Sequence, residues 1–133
     1  MSKYILCSAA LCASLFSTTL LAKDSVVTGK TIEYSVAGYT VQTEFLSDKQ
    51  LRWTYLKAPT PTEVGKTALE TTDNIGVRRD VVLAAWTESS GAHVVDVFDF
   101  GKRKIIANFI MPDGKRYQSM ADFKITSNKK TSQ

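Results

Sequence analysis

The sequence predicts an all-β fold, a single antiparallel up-and-down barrel of eight strands, and three observations carry that expectation. From about residue 30 onward apolar residues alternate with period two, the spacing that sets every second side chain on one face of a strand. β-branched and aromatic residues dominate these runs. Between them stand short segments rich in Gly, Pro, Asp and Asn, which accept the backbone angles of turns.

The first segment stands apart from the barrel. A lysine at position 3 precedes an apolar stretch from Tyr4 to Ala22, and polar sequence begins at Lys23, the layout of a secretory signal peptide cleaved after Ala22. Serines and threonines within the stretch and the small residue at its end favour cleavage over a retained anchor. The expected organisation is a signal peptide over 1–22, a barrel domain over 23–126 and a flexible tail over 127–133, with the mature chain periplasmic or secreted. Both cysteines, Cys7 and Cys12, fall in the leader, so the mature domain has no thiol for a disulfide, a nucleophile or a metal.

Eight strands are expected near 30–37, 39–46, 50–57, 66–73, 79–88, 92–99, 103–111 and 115–126. The first two flank the turn "AGY", and the segments "LSDKQ", "KAPTPTEVG", "DNIGVRR", "ESSGA", "FGKR" and "PDGK" make the later connections. Closing such a meander into a barrel removes both unpaired edges, whereas the alternative, a two-sheet sandwich, retains them. At about eight strands the interior is filled by side chains or holds one small ligand, as in lipocalins. The inward set is Ile32, Tyr34, Val36, Val41, Phe45, Trp53, Tyr55, Ala84, Trp86, Ala107, Phe109, Ser119, Ala121 and Phe123. Its small members either open a cavity or complete a tapering core.

In a meander the ends of odd strands and the starts of even strands share one rim. That rule gathers Tyr34, Tyr39, Tyr55, Lys66, Glu88, His93 and Tyr117 at one end, including every tyrosine outside the leader. Trp53 and Trp86 lie just below them, with Glu88 two residues after Trp86 and therefore on its face. Tyr34, Tyr39, Trp53, Tyr55, Lys66, Trp86, Glu88 and Tyr117 are the candidate ligand-binding residues: tyrosines give a flat surface and a hydroxyl, and Lys66 meets a negative charge. The opposite rim receives Lys30, Lys49, Arg52, Arg78, Arg79 and the run 102–104. These basic runs are short and lack interleaved aromatics, so they predict a solvated rim with weak attraction to anionic membranes and no nucleic-acid partner. One histidine, His93, in a mature chain without cysteine leaves no metal-ligand spacing.

The stretches "GKTIEYSVAGYTVQTEFLSDKQLRW", "EVGKT" and "DVVLAAWTESSGAHVVDVFDFGKRKIIANFIMPDG" resemble the small calycin barrels of the MoaF-like group and their relatives, the phenolic acid decarboxylases. The resemblance implies a lipocalin/calycin barrel with no cofactor. It also implies that Glu88, in "WTE", takes the place of a glutamate that works inside the decarboxylase barrel with first-strand tyrosines and an arginine. Tyr34 matches one tyrosine, Val36 stands where the second would be, and Lys66 stands where the arginine would be. If the protein is an enzyme, Glu88, Tyr34 and Lys66 are its catalytic candidates and the reaction is a non-oxidative decarboxylation. The altered site favours a non-enzymatic barrel that binds a small aromatic or amphipathic anion, with a filled interaction protein as a third possibility.

Overall fold

The computed structural model describes residues 26–129, and their alternating pattern forms nine strands. These are β1 (Lys30–Val36), β2 (Tyr39–Ser47), β3 (Gln50–Lys57), β4 (Thr67–Thr71), β5 (Asp73–Arg78), β6 (Val81–Thr87), β7 (His93–Asp99), β8 (Lys104–Ile110) and β9 (Arg116–Asn128). The expected leader and its cleavage site lie outside the described residues, as do residues 130–133. β9 runs two residues past the expected strand end, with Ser127 and Asn128 opposite Thr31 and Lys30.

The order across the sheet is β4-β3-β2-β1-β9-β8-β7-β6-β5, every neighbouring pair antiparallel. The sheet curls into a nearly closed barrel whose two end strands are consecutive in the chain, joined through Thr72. The expected eight strands are therefore nine, and the extra one is "DNIGVR", read from sequence as a turn. Its turn-forming residues hide it, and it lies at a sheet edge where Ile75 and Val77 stay 59% and 60% exposed, so no inward-outward alternation marks it. β4 and β5 run in the same direction, because each is antiparallel to a strand that rises toward the tyrosine rim. Nine strands thus make eight passes, and the rim assignment survives the extra strand.

Local chemistry sets the register. Val36 pairs with Tyr39 across a two-residue loop in which Ala37 and Gly38 both have positive φ, 50° and 84°. That is the type I′ hairpin, whose twist matches its flanking strands.

The barrel is filled at one end only. Ile32, Phe45, Leu51, Phe98 and Ile105 are almost wholly buried toward the basic rim, joined by Phe100 and Phe123. Phe45 and Phe98 meet edge to face at 5.2 Å, as do Phe100 and Phe123. The Lys30 ammonium lies 5.6 Å from the Phe100 ring centre.

Candidate functional site

The other half of the barrel holds a cavity of about 360 Å³. Small side chains make the room: Ala107 and Ser119 stand opposite each other across β8 and β9, and both line it. Its apolar lining comes from Val36, Val41, Phe109 and Met111. Tyr34, Tyr39, Trp53, Tyr55 and Tyr117 supply the aromatic wall.

Strand pairing and polar contacts fix that wall. Tyr55 sits between the other two rings, its centre 4.6 Å from Tyr39 and 4.8 Å from Trp53. The Trp53 indole Nε1–H donates to Glu70 Oε1 at 3.0 Å, and Glu70 is itself buried on β4. The Tyr39 hydroxyl donates to Glu63 Oε2 at 3.1 Å, in the short 3₁₀ turn Pro61–Glu63 between β3 and β4.

Among the described residues Asp96 is the one acidic or basic side chain in the lining, and it is 2% exposed. It lies inward on β7 between Val94 and Phe98, opposite Ala84 of β6. The β7–β8 ladder skips this point, going from Val94–Phe109 to Val97–Ile106. In the gap the Asn108 backbone N–H donates to Asp96 Oδ1 at 3.1 Å, and the Asn108 side-chain amide donates to the Val95 carbonyl at 2.7 Å. Side chains thus replace ladder hydrogen bonds and hold the carboxylate in the wall.

The acids of this half are buried or half-buried and close enough to act on one another. Burial pushes Asp96 up to about 7; the Asn108 N–H opposes the shift and the Glu88 charge adds to it. Glu88, half-buried after the end of β6, is also raised to about 7, by burial and then by Glu70, with the Trp86 indole partly offsetting. Burial and these carboxylates push the phenols up as well, Tyr55 to about 12 and Tyr34 beyond the ordinary range. The Trp86 Nε1–H is buried and meets no acceptor at hydrogen-bonding geometry.

The structure brings Tyr34, Tyr39, Trp53, Tyr55 and Tyr117 to one cavity, Tyr117 as an exposed lip. Glu88 is close enough to perturb Tyr34, Tyr55 and Asp96 without lining the cavity. Trp86 belongs to the packed core. Lys66 is placed differently from the sequence expectation: its side chain is 57% exposed and pairs with Glu63 at 3.9 Å, outside the lining. His93 is exposed and hydrogen-bonded to Thr87. Sequence reasoning missed Asp96 and Glu70, although counting faces along "HVVDVF" sets Asp96 inward as surely as it did Glu88. Among the described residues no group of three or more His, Cys, Asp or Glu is arranged to hold a metal ion. A second hollow of about 500 Å³ lies along the β4–β5 seam near the basic rim, lined by Asp48, Lys49, Asp73, Arg78 and Arg79, away from the tyrosines.

A model of the MoaF-like family matches residues 28–124, from just before β1 into β9. A structure from Burkholderia vietnamiensis, described as that of a candidate beta-lactamase, is 22% identical with a TM-score of 0.67. The match covers 74% of this chain and 94% of that one, and it establishes a shared fold. No curated protein matches the chain.

Proposed function

Because the chain belongs to the MoaF-like family, we propose that it is a calycin-type binding barrel that takes a small aromatic or amphipathic molecule into its open mouth, acting as an exported mature protein. The observation that carries this reading is the cavity of about 360 Å³ walled by Tyr39, Trp53 and Tyr55. Its size falls at the lower end of the roughly 300–1,000 Å³ typical of small-molecule sites, and it combines an apolar lining with few polar groups. The sequence suggested an anionic ligand met by Lys66. Lys66 outside the cavity and Asp96 inside it favour a neutral or positively charged ligand.

Fluorescence titration with the neutral probe N-phenyl-1-naphthylamine tests the mouth. Saturable binding is expected, weakened by about tenfold in Trp53→Ala through loss of aromatic contact. A probe that never saturates, or that ignores Trp53→Ala, overturns the reading.

A second reading, cofactor-free decarboxylation of hydroxycinnamate-like acids, draws support from Glu88, whose raised pKa near 7 suits proton transfer beside Tyr34 and Tyr55. With Val36 in the lining and Lys66 outside it, no cation among the described residues lines that cavity to seat a carboxylate. Falling absorbance of para-coumarate with purified protein, abolished in Glu88→Gln, would favour this reading over simple binding.

A further inference from the structure

We propose that the ligand of this mouth is an organic cation, an ammonium or alkylated ammonium group held between the Tyr39–Tyr55–Trp53 wall and the Asp96 carboxylate. This inference rests on the mouth being a binding site and names the chemistry of its occupant.

Three independent features converge on positive charge. The first is the wall: the rings of Tyr39, Tyr55 and Trp53 pack side by side, and all three line the cavity, where the part of their π surface turned to it attracts a cation. The Trp53 N–H donates to the Glu70 carboxylate, which pushes electron density into the indole and strengthens that attraction. The second is the charge inventory. Among the described residues Asp96 lines the cavity and no Lys or Arg does, and Lys66, beside the rim, is turned to Glu63.

The third feature is the way Asp96 is retained. A buried carboxylate is costly unless a counter-charge and hydrogen bonds meet it. Asp96 accepts a backbone N–H in a ladder gap that its own side chain helps to fill, so the fold holds the carboxylate in place, and a cationic ligand completes its partners. The volume limits that ligand to a compact molecule.

Protonation supports the same assignment. The titratable groups that act on Asp96 are Glu88, following β6, and Tyr34 on β1, while Asn108 of β8 donates to it; Glu70 on β4 and Tyr55 on β3 act on Glu88 or respond to it. None of these is a cation. Without ligand, Asp96 therefore holds a proton up to about pH 7. A bound cation favours the ionised form, so binding expels that proton and affinity rises with pH between 6 and 8.

Calorimetric titration of the purified full protein with benzyltrimethylammonium, benzyl alcohol and benzoate, at pH 6 and pH 8, tests the proposal. The expected result is that benzyltrimethylammonium binds at least about tenfold more tightly than benzyl alcohol at pH 8 and weakens at pH 6, while benzoate does not saturate. Asp96→Asn keeps an oxygen for the Asn108 N–H and is expected to cost the cation about tenfold while sparing benzyl alcohol. Should that variant fail to fold, the probe ranking and pH profile of the unaltered protein decide. Equal binding of cation and alcohol, preference for benzoate, or cation affinity indifferent to pH overturns the inference. If N-phenyl-1-naphthylamine still binds in that case, the mouth stands and only its cation preference falls; if it too fails, both readings fall.

Discussion

The two halves of the barrel share the same strands and the same alternation, yet inward aromatics do opposite work in them. Toward the basic rim they are mainly phenylalanines, Phe45, Phe98, Phe100 and Phe123, packed with Ile32, Leu51 and Ile105 into a solid plug. Toward the tyrosine rim they are mainly Tyr34, Tyr39, Tyr55 and Trp53, with Phe109, beside small residues and a carboxylate, around open volume. Phenylalanine has no polar atom to satisfy, so it contributes area and volume alone. Tyrosine and tryptophan each carry a polar group that must meet a partner, which pulls them toward wet or liganded space. One half therefore stabilises the fold by close packing, and the other keeps open volume beside its polar groups.

The largest expected effect tests the plug. Phe98 is wholly buried and touches both Phe45 and Phe100, so Phe98→Ala should cost about 3–5 kcal/mol of folding stability. Tyr55→Leu, in the open half, should cost about 1 kcal/mol or less, because it keeps much of the apolar volume of a half-buried side chain. Urea unfolding of both variants measures the difference, and equal losses would mean the open half is packed as tightly as the plug.

The intermediate effect is pH dependence, and it separates the halves because the acids with resolved shifts lie in the open one. Asp96 and Glu88 have folded pKa values near 7, above their ordinary 3.8 and 4.5. Between about pH 4.5 and 7 the folded state thus binds more protons than the unfolded state, and stability falls as pH rises through that window. The loss from pH 5 to pH 8 should be roughly 1–3 kcal/mol, discounted for the partial exposure of Glu88. Asp96→Asn should flatten most of it. Denaturant midpoints that do not change from pH 5 to pH 8 would place these carboxylates in water.

Sequence made the plug and the rim legible for the same reason: wherever one face is buried, alternation reports which residues share it. It set Ile32, Phe45 and Phe123 of the plug and Tyr34, Trp53, Tyr55, Ala107 and Ser119 of the open half inward but left out Leu51, Phe98, Phe100 and Ile105, and each of the eight expected strands matches an observed one to within two residues at either end. It failed where that burial signal was missing or was given too little weight. β5 is an edge strand with exposed apolar side chains, so its Asn and Gly read as a turn. Asp96 sits on a clearly alternating strand whose spacing sets it inward, but alternation does not show how a carboxylate is tolerated there: a ladder gap and the Asn108 N–H make its burial workable.

Lys66 marks the limit of reading a rim from sequence, and it gives the smallest expected effect. Strand order sets a residue's height along the barrel, and Lys66 does lie beside the tyrosine rim. Alternation fixes inward or outward only within a ladder, and Lys66 precedes the first β4 residue, Thr67, in the connection that carries Glu63. Its ammonium swings to that carboxylate, which also accepts the Tyr39 hydroxyl, so Lys66 touches the mouth only through a shared acid. An exposed pair at 3.9 Å is worth about 0–0.5 kcal/mol. Lys66→Ala should therefore leave the denaturation midpoint nearly unchanged and shift cation binding by less than about twofold, slightly toward tighter binding as a nearby positive charge is removed. A clear loss of binding for a negatively charged probe in this variant would return Lys66 to the site and make the two rims alike in using basic residues at their openings.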